Sequence, residues 1–350
     1  MKRTHSWGRR RETGSANQCA WLALILCLAT FGGAGSIQQS TILVGSGSTI
    51  PVALFAKWGR EYNKRKSQVQ MQYVPVGSSE GLKQVSLGNG DFGAGEEQLS
   101  DKQIQKGLVA LPVVLVGIVP IYNLPQAGPD LHLSGQVLAE IFLGNVKAWN
   151  DPLITRLNGD AVLPSTPIKV IYRLGGRGSN YVFTSFLSKT NPRFRTQIGT
   201  TSSPHWPVGT PARFSSELVD MVVSNPGSIG YAELQYTVKK QVQQAAVLNS
   251  SGHFIKASKD SLSAACIAVE QGHWNNFSAS LTNASGAASF PITSFSWIYL
   301  RGPDFSGSYP IADLLSWMYT DGQQYVFEEG YAELPQPLLA AVRNRINSPR

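Results

Sequence analysis

The sequence has few charged residues, few cysteines and few long apolar runs, and each scarcity excludes a class of protein. Charged residues make up only 15% of the 350 positions, and no lysine or arginine block with interleaved aromatics indicates nucleic-acid binding. After residue 35 no apolar run is long enough to span a membrane. That part of the chain has one cysteine, Cys266, which excludes an intramolecular disulfide there and indicates a core residue.

Residues that commonly indicate catalysis or metal binding are present but scattered. The histidines lack the spacing of metal ligands, and the Gly-Lys-Ser/Thr of a nucleotide loop is absent. Ser46 and Ser48 follow glycines, but no His and Asp are placed to activate them as nucleophiles. Glu96 and Glu97 are adjacent on an extended segment and point apart, which disfavours a joint acid–base role. The sequence therefore predicts no catalytic residues, no metal and no cofactor.

The first 35 residues have the order of an export signal. A basic segment that ends at Arg11 precedes the apolar stretch Cys19–Phe31, and small residues follow it. This order predicts a signal peptide over residues 1–35 and a location in the periplasm, with an uncleaved membrane anchor as the alternative. Five basic residues and one acidic residue in this segment account for half of the formal net charge of +8, so the remaining chain is only weakly basic.

Among the features that are present, three short loops are the most informative. The first loop (45–49, GSGST), the second loop (77–79, GSS) and the third loop (176–180, GRGSN) each stand between a strand-like and a helix-like run. Small residues let the backbone approach a ligand, and a helix N-terminus offers unpaired N–H groups with partial positive charge. Together with Arg173, just before the third loop, the loops predict one pocket that surrounds a small oxyanion.

Strand-like and helix-like runs alternate over the whole chain after the N-terminal segment. This alternation predicts an α/β fold with a mostly parallel sheet and ligands at the carboxyl ends of its strands. The apolar region 108–122 is expected to hold two strands, and the helix after the second loop is expected to end at Gly88. A chain of 350 residues with 42% hydrophobic content favours two lobes over one.

Several segments resemble the phosphate-binding subunit of phosphate ABC transporters, the PstS family. The similar segments keep the family's order between Thr41 and Arg345 and are 45–51 with Trp58, 76–84, 91–94, 141–144, 147–152, 183–187, 226–231 and 290–293. The resemblance implies a two-lobed periplasmic-binding-protein fold of the Venus-flytrap, type II-like kind, in which crossing strands form the hinge. It implies that lobe I comprises residues 36–122 plus 294–350 and that lobe II comprises residues 123–293.

The same resemblance implies a function and a set of ligand contacts. Such a protein captures inorganic phosphate, acts as a monomer without catalysis, and delivers the ion to the membrane permease of an ABC transporter. The positions that match the family's ligand contacts are Thr49, Ile50, Ser78, Arg173, Gly178 and Ser179. They imply hydroxyl and backbone N–H donors from the three loops and paired N–H bonds from the guanidinium.

Three positions depart from the family's pattern. Glu96 stands where the family has an Asp, whose carboxylate accepts the proton that phosphate keeps near neutral pH and repels unprotonated sulfate. Gly175 replaces an Asp that pairs with the arginine, so Arg173 is expected to lean on Glu96 or Glu97 instead. Arg177 replaces a ligand-binding Ser, and two interpretations stay open: a second cation in the cleft beside Glu96, or a guanidinium turned to solvent.

These departures keep other functions open beside phosphate capture. One is a diverged paralogue that binds another oxyanion or acts as a sensor or adhesin. The other is a secreted phosphohydrolase on the same fold, which would require a nucleophile with a base or a metal cluster that the sequence does not display.

Overall fold

A computed structural model describes residues 40–348 except 67, 126–129, 160, 270–276, 278 and 303–309. The predicted signal peptide over residues 1–35 lies outside the described residues. The strands are β1 (Thr41–Gly47), β2 (Val69–Val74), β3 (Phe92–Gly95), β4 (Leu108–Tyr122), β5 (His132–Leu133), β6 (Lys169–Arg173), β7 (Thr210–Ala212), β8 (Ser228–Glu233), β9 (Gln243–Gln244), β10 (Ala246–Leu248), β11 (Phe254–Ile255) and β12 (Thr293–Arg301).

Helices alternate with these strands. They are α1 (Val52–Arg65), α2 (Ser78–Leu87), α3 (Asp101–Gln105), α4 (Gly135–Phe142), α5 (Pro152–Thr155), α6 (Gly178–Thr190), α7 (Pro192–Gln197), α8 (Ser215–Ser224), α9 (Leu234–Lys240), α10 (Lys259–Val269), α11 (Ile311–Met318), α12 (Gln324–Glu328) and α13 (Gln336–Asn347), with a 3-10 turn at Asp321–Gln323. Local capping residues explain several ends. The Ser134 side chain accepts a hydrogen bond from the Val137 N–H at the start of α4, and Gly88 ends α2 in the left-handed conformation, as predicted.

The main sheet is mixed, with parallel strands on both sides of an antiparallel centre. Its order is β2-β1-β3-β12-β4-β8-β6-β7, and β9 also pairs with β4. β1 is parallel to β2 and β3, and β6 is parallel to β7 and β8. β12 runs antiparallel to both β3 and β4, and β4 runs antiparallel to β8. The prediction of a mostly parallel sheet is therefore right for the two flanks and wrong for the centre, where β4 and β12 run in opposite directions.

The prediction of two strands in residues 108–122 is wrong, because β4 is a single strand of 15 residues. Its first part pairs with β12 and its last part, from Ile118 onward, pairs with β8. Pro112 lies where the β12 register shifts between Ser296 and Trp297, and a strand tolerates proline at such an irregularity. Pro112 thus lies next to a bulge within one strand.

Buried aromatic side chains pack in groups on both flanks of the sheet. On the β1 side, Phe55 stacks on Tyr73 with ring centroids 4.4 Å apart. On the β6 side, Phe183 stacks on Tyr231 at 4.2 Å, and Phe142 contacts both rings edge-on or tilted. Each flank therefore has its own aromatic packing, which holds rigid the strands that carry the three loops.

Candidate anion-binding site

The three loops meet at one place in the structure. The first loop completes β1, the second follows β2 and begins α2, and the third links β6 to α6. The Gly77 N–H donates to the Gly47 carbonyl at 2.7 Å, which joins the second loop to the first. A Cβ placed on Gly77 (φ +110°) would lie 2.7 Å from the Gly176 carbonyl oxygen, so the third loop presses against the second. The predicted convergence of the loops is therefore confirmed by their backbone contacts.

The Glu96 carboxylate lies at the centre of this convergence, directly after β3. It is fully buried, at 0% exposure, and accepts hydrogen bonds from three serine hydroxyls. Oε2 accepts from Ser48 Oγ at 2.9 Å and Ser78 Oγ at 2.6 Å, and Oε1 accepts from Ser296 Oγ at 2.8 Å. Burial raises the pKa of Glu96 to about 7, although the three hydroxyl bonds act in the opposite direction.

The third loop brings the N-terminus of α6 to the same carboxylate. A Cβ placed on Gly178 would lie 1.6 Å from Glu96 Oε2 and 2.7 Å from Ser78 Oγ, so only glycine fits at this helix start. Ser179, the next residue, is also buried. A helix N-terminus carries partial positive charge and favours an anion, which makes this a suitable place for anionic oxygens.

The first loop contributes Ser48, a residue that the resemblance to the PstS family did not place among the ligand contacts. Ser48 Oγ accepts from the Ile50 N–H at 3.0 Å and donates to Glu96, so this hydroxyl links the loop backbone to the carboxylate. The Ile50 carbonyl accepts from Tyr331 Oη at 2.8 Å. Thr49, which lies between Ser48 and Ile50 in the chain, is half-buried. The position of Ser48 directly after Gly47 in the first loop was the available signal, and its role here is as a hydrogen-bond bridge.

Arg173 ends β6 and is 2% exposed. Its Nη1 donates to the Ala212 carbonyl at 3.3 Å, and among the described residues its Nε has no hydrogen-bond partner. Burial lowers the pKa of Arg173, the charge of Glu233 raises it, and the charge of Arg177 lowers it further. Of the carboxylates, Glu233 is the one whose charge raises the pKa of Arg173, and among the described residues no ion pair joins Arg173 to Glu96 or Glu97 as the sequence suggested.

Sequence reasoning missed Glu233, the last residue of β8. It is 1% exposed, and its Oε1 accepts from Ser215 Oγ at 3.1 Å. Its Oε2 has no hydrogen-bond partner within the part of the chain that is described. No local sequence pattern indicates it, because only the parallel pairing of β8 with β6 brings the carboxyl ends of both strands to the same sheet edge.

Asn180 and Tyr231 hold the chain around the third loop. Asn180 Nδ2 donates to the carbonyls of Arg173 at 3.2 Å, Leu174 at 3.0 Å and Ser202 at 3.1 Å. Tyr231 Oη donates to Asn180 Oδ1 at 2.6 Å and accepts from the Arg173 N–H at 3.3 Å. These bonds fix the loop in a chain that lacks the family's Asp at position 175.

Arg177 takes a position that neither sequence interpretation described. The residue is half-buried, and its Nη1 donates to the Val76 carbonyl at 3.3 Å, above the Gly77 backbone. Ser79 of the second loop is also linked to the third loop through Ser202, because Ser79 Oγ lies 2.7 Å from Ser202 Oγ and the Ser202 carbonyl accepts from the Gly176 N–H at 2.8 Å. The guanidinium therefore spans from the third loop to the second, close enough to Arg173 to lower its pKa.

Chemically, the site offers hydroxyls, a helix N-terminus and a guanidinium to an anion, and two carboxylates to its protons. Across the described ranges, no group of three or more His, Cys, Asp or Glu side chains is placed to hold a metal ion. In the same ranges no helix has both the length and the apolarity required to cross a bilayer. The arrangement suits recognition of a protonated oxyanion by hydrogen bonds.

Comparison with known proteins assigns the chain to a class and then to a family. Residues 33–321 match the family model of the PBP superfamily domain, so the protein belongs to that superfamily and has its two-lobed α/β fold. The chain is 32% identical over 313 residues to the phosphate-binding protein PstS of Haemophilus influenzae, with 88% of this chain and 93% of the relative covered. It is a member of the PstS family.

Solved structures show the same fold. An ABC-type phosphate transport receptor from Vibrio cholerae superposes with a TM-score of 0.62 at 16% identity, covering 84% of this chain and 100% of the receptor. A phosphate ABC transporter substrate-binding protein with bound phosphate from Clostridium perfringens gives a TM-score of 0.60 at 17% identity, covering 84% and 100%. The predicted two-lobed fold class is confirmed.

Proposed function

We propose that this protein is a periplasmic solute-binding protein that captures inorganic phosphate and delivers it to the membrane permease of an ABC transporter. The observation that carries the proposal is the buried Glu96 carboxylate, held by three serine hydroxyls against the N-terminus of α6. Membership of the PstS family supports the same function, since the similar relatives are named phosphate-binding proteins. The proposed task is binding, with no bond made or broken.

The hydrogen-bond capacity of Glu96 favours phosphate over sulfate. A carboxylate has about four lone-pair sites, of which the serines of this site occupy three. The remaining site can accept the proton of a phosphate oxygen. Sulfate carries no proton at neutral pH and would place negative charge against a buried carboxylate, which is unfavourable.

The proposed ligand contacts come from all three loops and from β6. They are Thr49, Ile50, Ser78, Glu96, Arg173, Arg177, Gly178 and Ser179. We also propose the lobe boundaries given above, since the two long strands β4, which ends at Tyr122, and β12, which begins at Thr293, pair with each other from Leu108 to Gly117 of β4. Export through the N-terminal signal peptide and a monomeric state complete the proposal.

Titration calorimetry on the purified protein, freed of bound phosphate by extensive dialysis, tests the proposal directly. We expect saturable binding of one phosphate per chain and sulfate binding weaker by about a hundredfold, because a buried charged acceptor without its donor costs roughly 2–3 kcal/mol. A Glu96→Gln variant is expected to reduce this discrimination at least tenfold, whereas Glu97→Gln, at the neighbouring position, should leave it intact.

Other outcomes identify the competing functions. Stronger binding of arsenate, phosphite or a phosphonate in a thermal-shift series would indicate a paralogue with a different oxyanion. Steady release of phosphate from a phosphate monoester, at a rate proportional to protein concentration, would indicate a hydrolase. Equal affinity for phosphate and sulfate in the unmodified protein would contradict the role of Glu96.

A further inference from the structure

Glu233 and Arg173 are buried residues at the carboxyl ends of the neighbouring parallel strands β8 and β6, and each side chain has an unused hydrogen-bonding atom. Arg173 Nε is a donor without a partner and Glu233 Oε2 is an acceptor without a partner, within the described residues. Both residues are almost fully buried, at 2% and 1% exposure, so bulk water does not satisfy these atoms freely. A group that fits between them must accept one hydrogen bond and donate another.

The position of Glu233 places this pair in the candidate site. Its charge acts on Arg173 in β6 and also on Glu96, which follows β3 on the opposite flank of the sheet. The same charge raises the pKa of three phenols, Tyr231, Tyr236 and Tyr331, and Tyr331 Oη donates to the Ile50 carbonyl of the first loop. Because Glu233 ends β8, which is parallel to β6, it lies at the same sheet edge as Arg173.

We propose that Glu233 is a second ligand-contacting carboxylate, whose Oε2 accepts a hydrogen bond from one hydroxyl of the bound oxyanion while Arg173 Nε donates to a neighbouring oxygen. The inference rests on the proposed function. With Glu96 accepting from another hydroxyl, the ligand must bring two O–H donors. Monobasic phosphate has two, dibasic phosphate has one and sulfate has none. The site therefore selects the monobasic ion.

The charges around Glu233 agree with this selection. The nearby cations are Arg173 and, next to it, Arg177, and the nearby anions are Glu233 and Glu96. Burial raises the pKa values of the three surrounding tyrosines, which keeps them uncharged. Two guanidiniums face two carboxylates, so a dianion would add more uncompensated negative charge to the buried site than a monoanion.

Proton linkage measured by calorimetry tests the inference. Phosphate is titrated into the protein at pH 6 and pH 8, each in two buffers that differ in ionisation heat, which gives the protons taken up on binding. At pH 8 we expect the unmodified protein to take up more protons per phosphate than Glu233→Gln, because dibasic phosphate must be protonated to bind. Its affinity for total phosphate should fall about sevenfold from pH 6 to pH 8, because the monobasic fraction of phosphate, with a second pKa of about 7.2, falls by that factor.

In Glu233→Gln the amide can donate to dibasic phosphate, so we expect the fall in affinity to shrink to a few-fold. Because the charge of Glu233 raises the pKa of Glu96, the Glu96 contribution is removed by comparing Glu96→Gln with the double variant Glu96→Gln/Glu233→Gln in the same way. Glu80→Gln, on an exposed face of α2, is the matched control and should behave like the unmodified protein. Circular dichroism checks that each variant is folded.

The inference is overturned if the unmodified protein and Glu233→Gln take up equal numbers of protons and the substitution reduces affinity by the same factor at both pH values. That result would indicate that Glu233 acts only as a counter-ion of Arg173. If the Gln variant does not fold, Ser215→Ala replaces it. That change releases Oε1 while keeping the carboxylate, and we expect a several-fold loss at pH 6; unchanged affinity would overturn the inference. Absence of phosphate binding by the unmodified protein at any pH contradicts the proposed function instead.

Discussion

The two buried carboxylates of the site, Glu96 and Glu233, differ in how completely the protein satisfies them. Glu96 accepts from three hydroxyls that belong to three separate segments of the chain. Glu233 accepts from one hydroxyl, and the arginine it acts on has a single 3.3 Å bond to a carbonyl. The difference shows that the protein itself fixes the Glu96 carboxylate by hydrogen bonds, whereas Glu233 and Arg173 keep an acceptor and a donor available for the ligand.

Replacement of Arg173 should have the largest effect on ligand binding, because it removes the cation from the Glu233 side of the site. In Arg173→Ala the cationic side loses its charge and Glu233 remains buried without compensation, which costs roughly 3–5 kcal/mol. We expect phosphate affinity to fall at least about a hundredfold, as measured by calorimetry at pH 7. Arg60→Ala, on the exposed face of α1, should bind like the unmodified protein. Retained affinity in Arg173→Ala would show that the hydroxyls alone hold the anion.

The pH dependence of stability sharpens the comparison from the Glu96 side. The pKa of Glu96 rises from 4.5 to about 7 on folding, so the folded state binds more protons than the unfolded state between these values. Stability of the ligand-free protein should therefore fall as the pH rises from about 4.5 to about 7, by roughly 3 kcal/mol at most from this group.

This dependence is measured by urea unfolding at several pH values in phosphate-free buffer, with Glu96→Gln as the comparison. The difference in unfolding free energy between the two proteins should change across this pH window and be constant above it. A constant difference at every pH would mean that Glu96 does not titrate in this range.

The smallest effect is expected for the contact between the second and third loops. Arg177→Ala removes the bond to the Val76 carbonyl and one positive charge near Arg173. We expect phosphate affinity to decrease about fivefold, the value of one net hydrogen bond, mainly through faster dissociation in stopped-flow measurements. Arg177→Lys, which keeps the charge, separates the two contributions. A loss as large as that of Arg173→Ala would mean that Arg177 contributes as much to ligand binding as Arg173 does.

The sequence predicted the features that depend on local patterns. The strand at Thr41, the helix end at Gly88 and the three small-residue loops follow from apolar runs, glycine and helix starts, and all are present in the structure. The family resemblance supplied the two-lobed fold and placed Glu96 in the site. Apolar alternation and glycine conformation act within a few residues, which explains why they can be read from one chain.

Features that depend on distant partners were not predicted. The continuity of β4 is set by its pairing with β12 and β8, which its apolar content alone does not reveal. Glu233 is 60 positions from Arg173 in the chain, and only the pairing of β6 with β8 brings the two residues to one sheet edge. The direction of Arg177 depends on the second loop. Such contacts arise from tertiary packing, which residue spacing and secondary-structure propensity do not predict.

The uninterrupted β4 has a mechanical consequence. Between Gly117 and Ile118 this strand exchanges β12 for β8 as its partner, so a torsion confined to that junction reorients one flank of the sheet while the ladders on either side stay intact. Because Ser296 belongs to β12 and Glu233 to β8, the same torsion alters the distance between the two acidic groups. A single backbone joint thereby couples the opening of the cleft to the electrostatics of its interior.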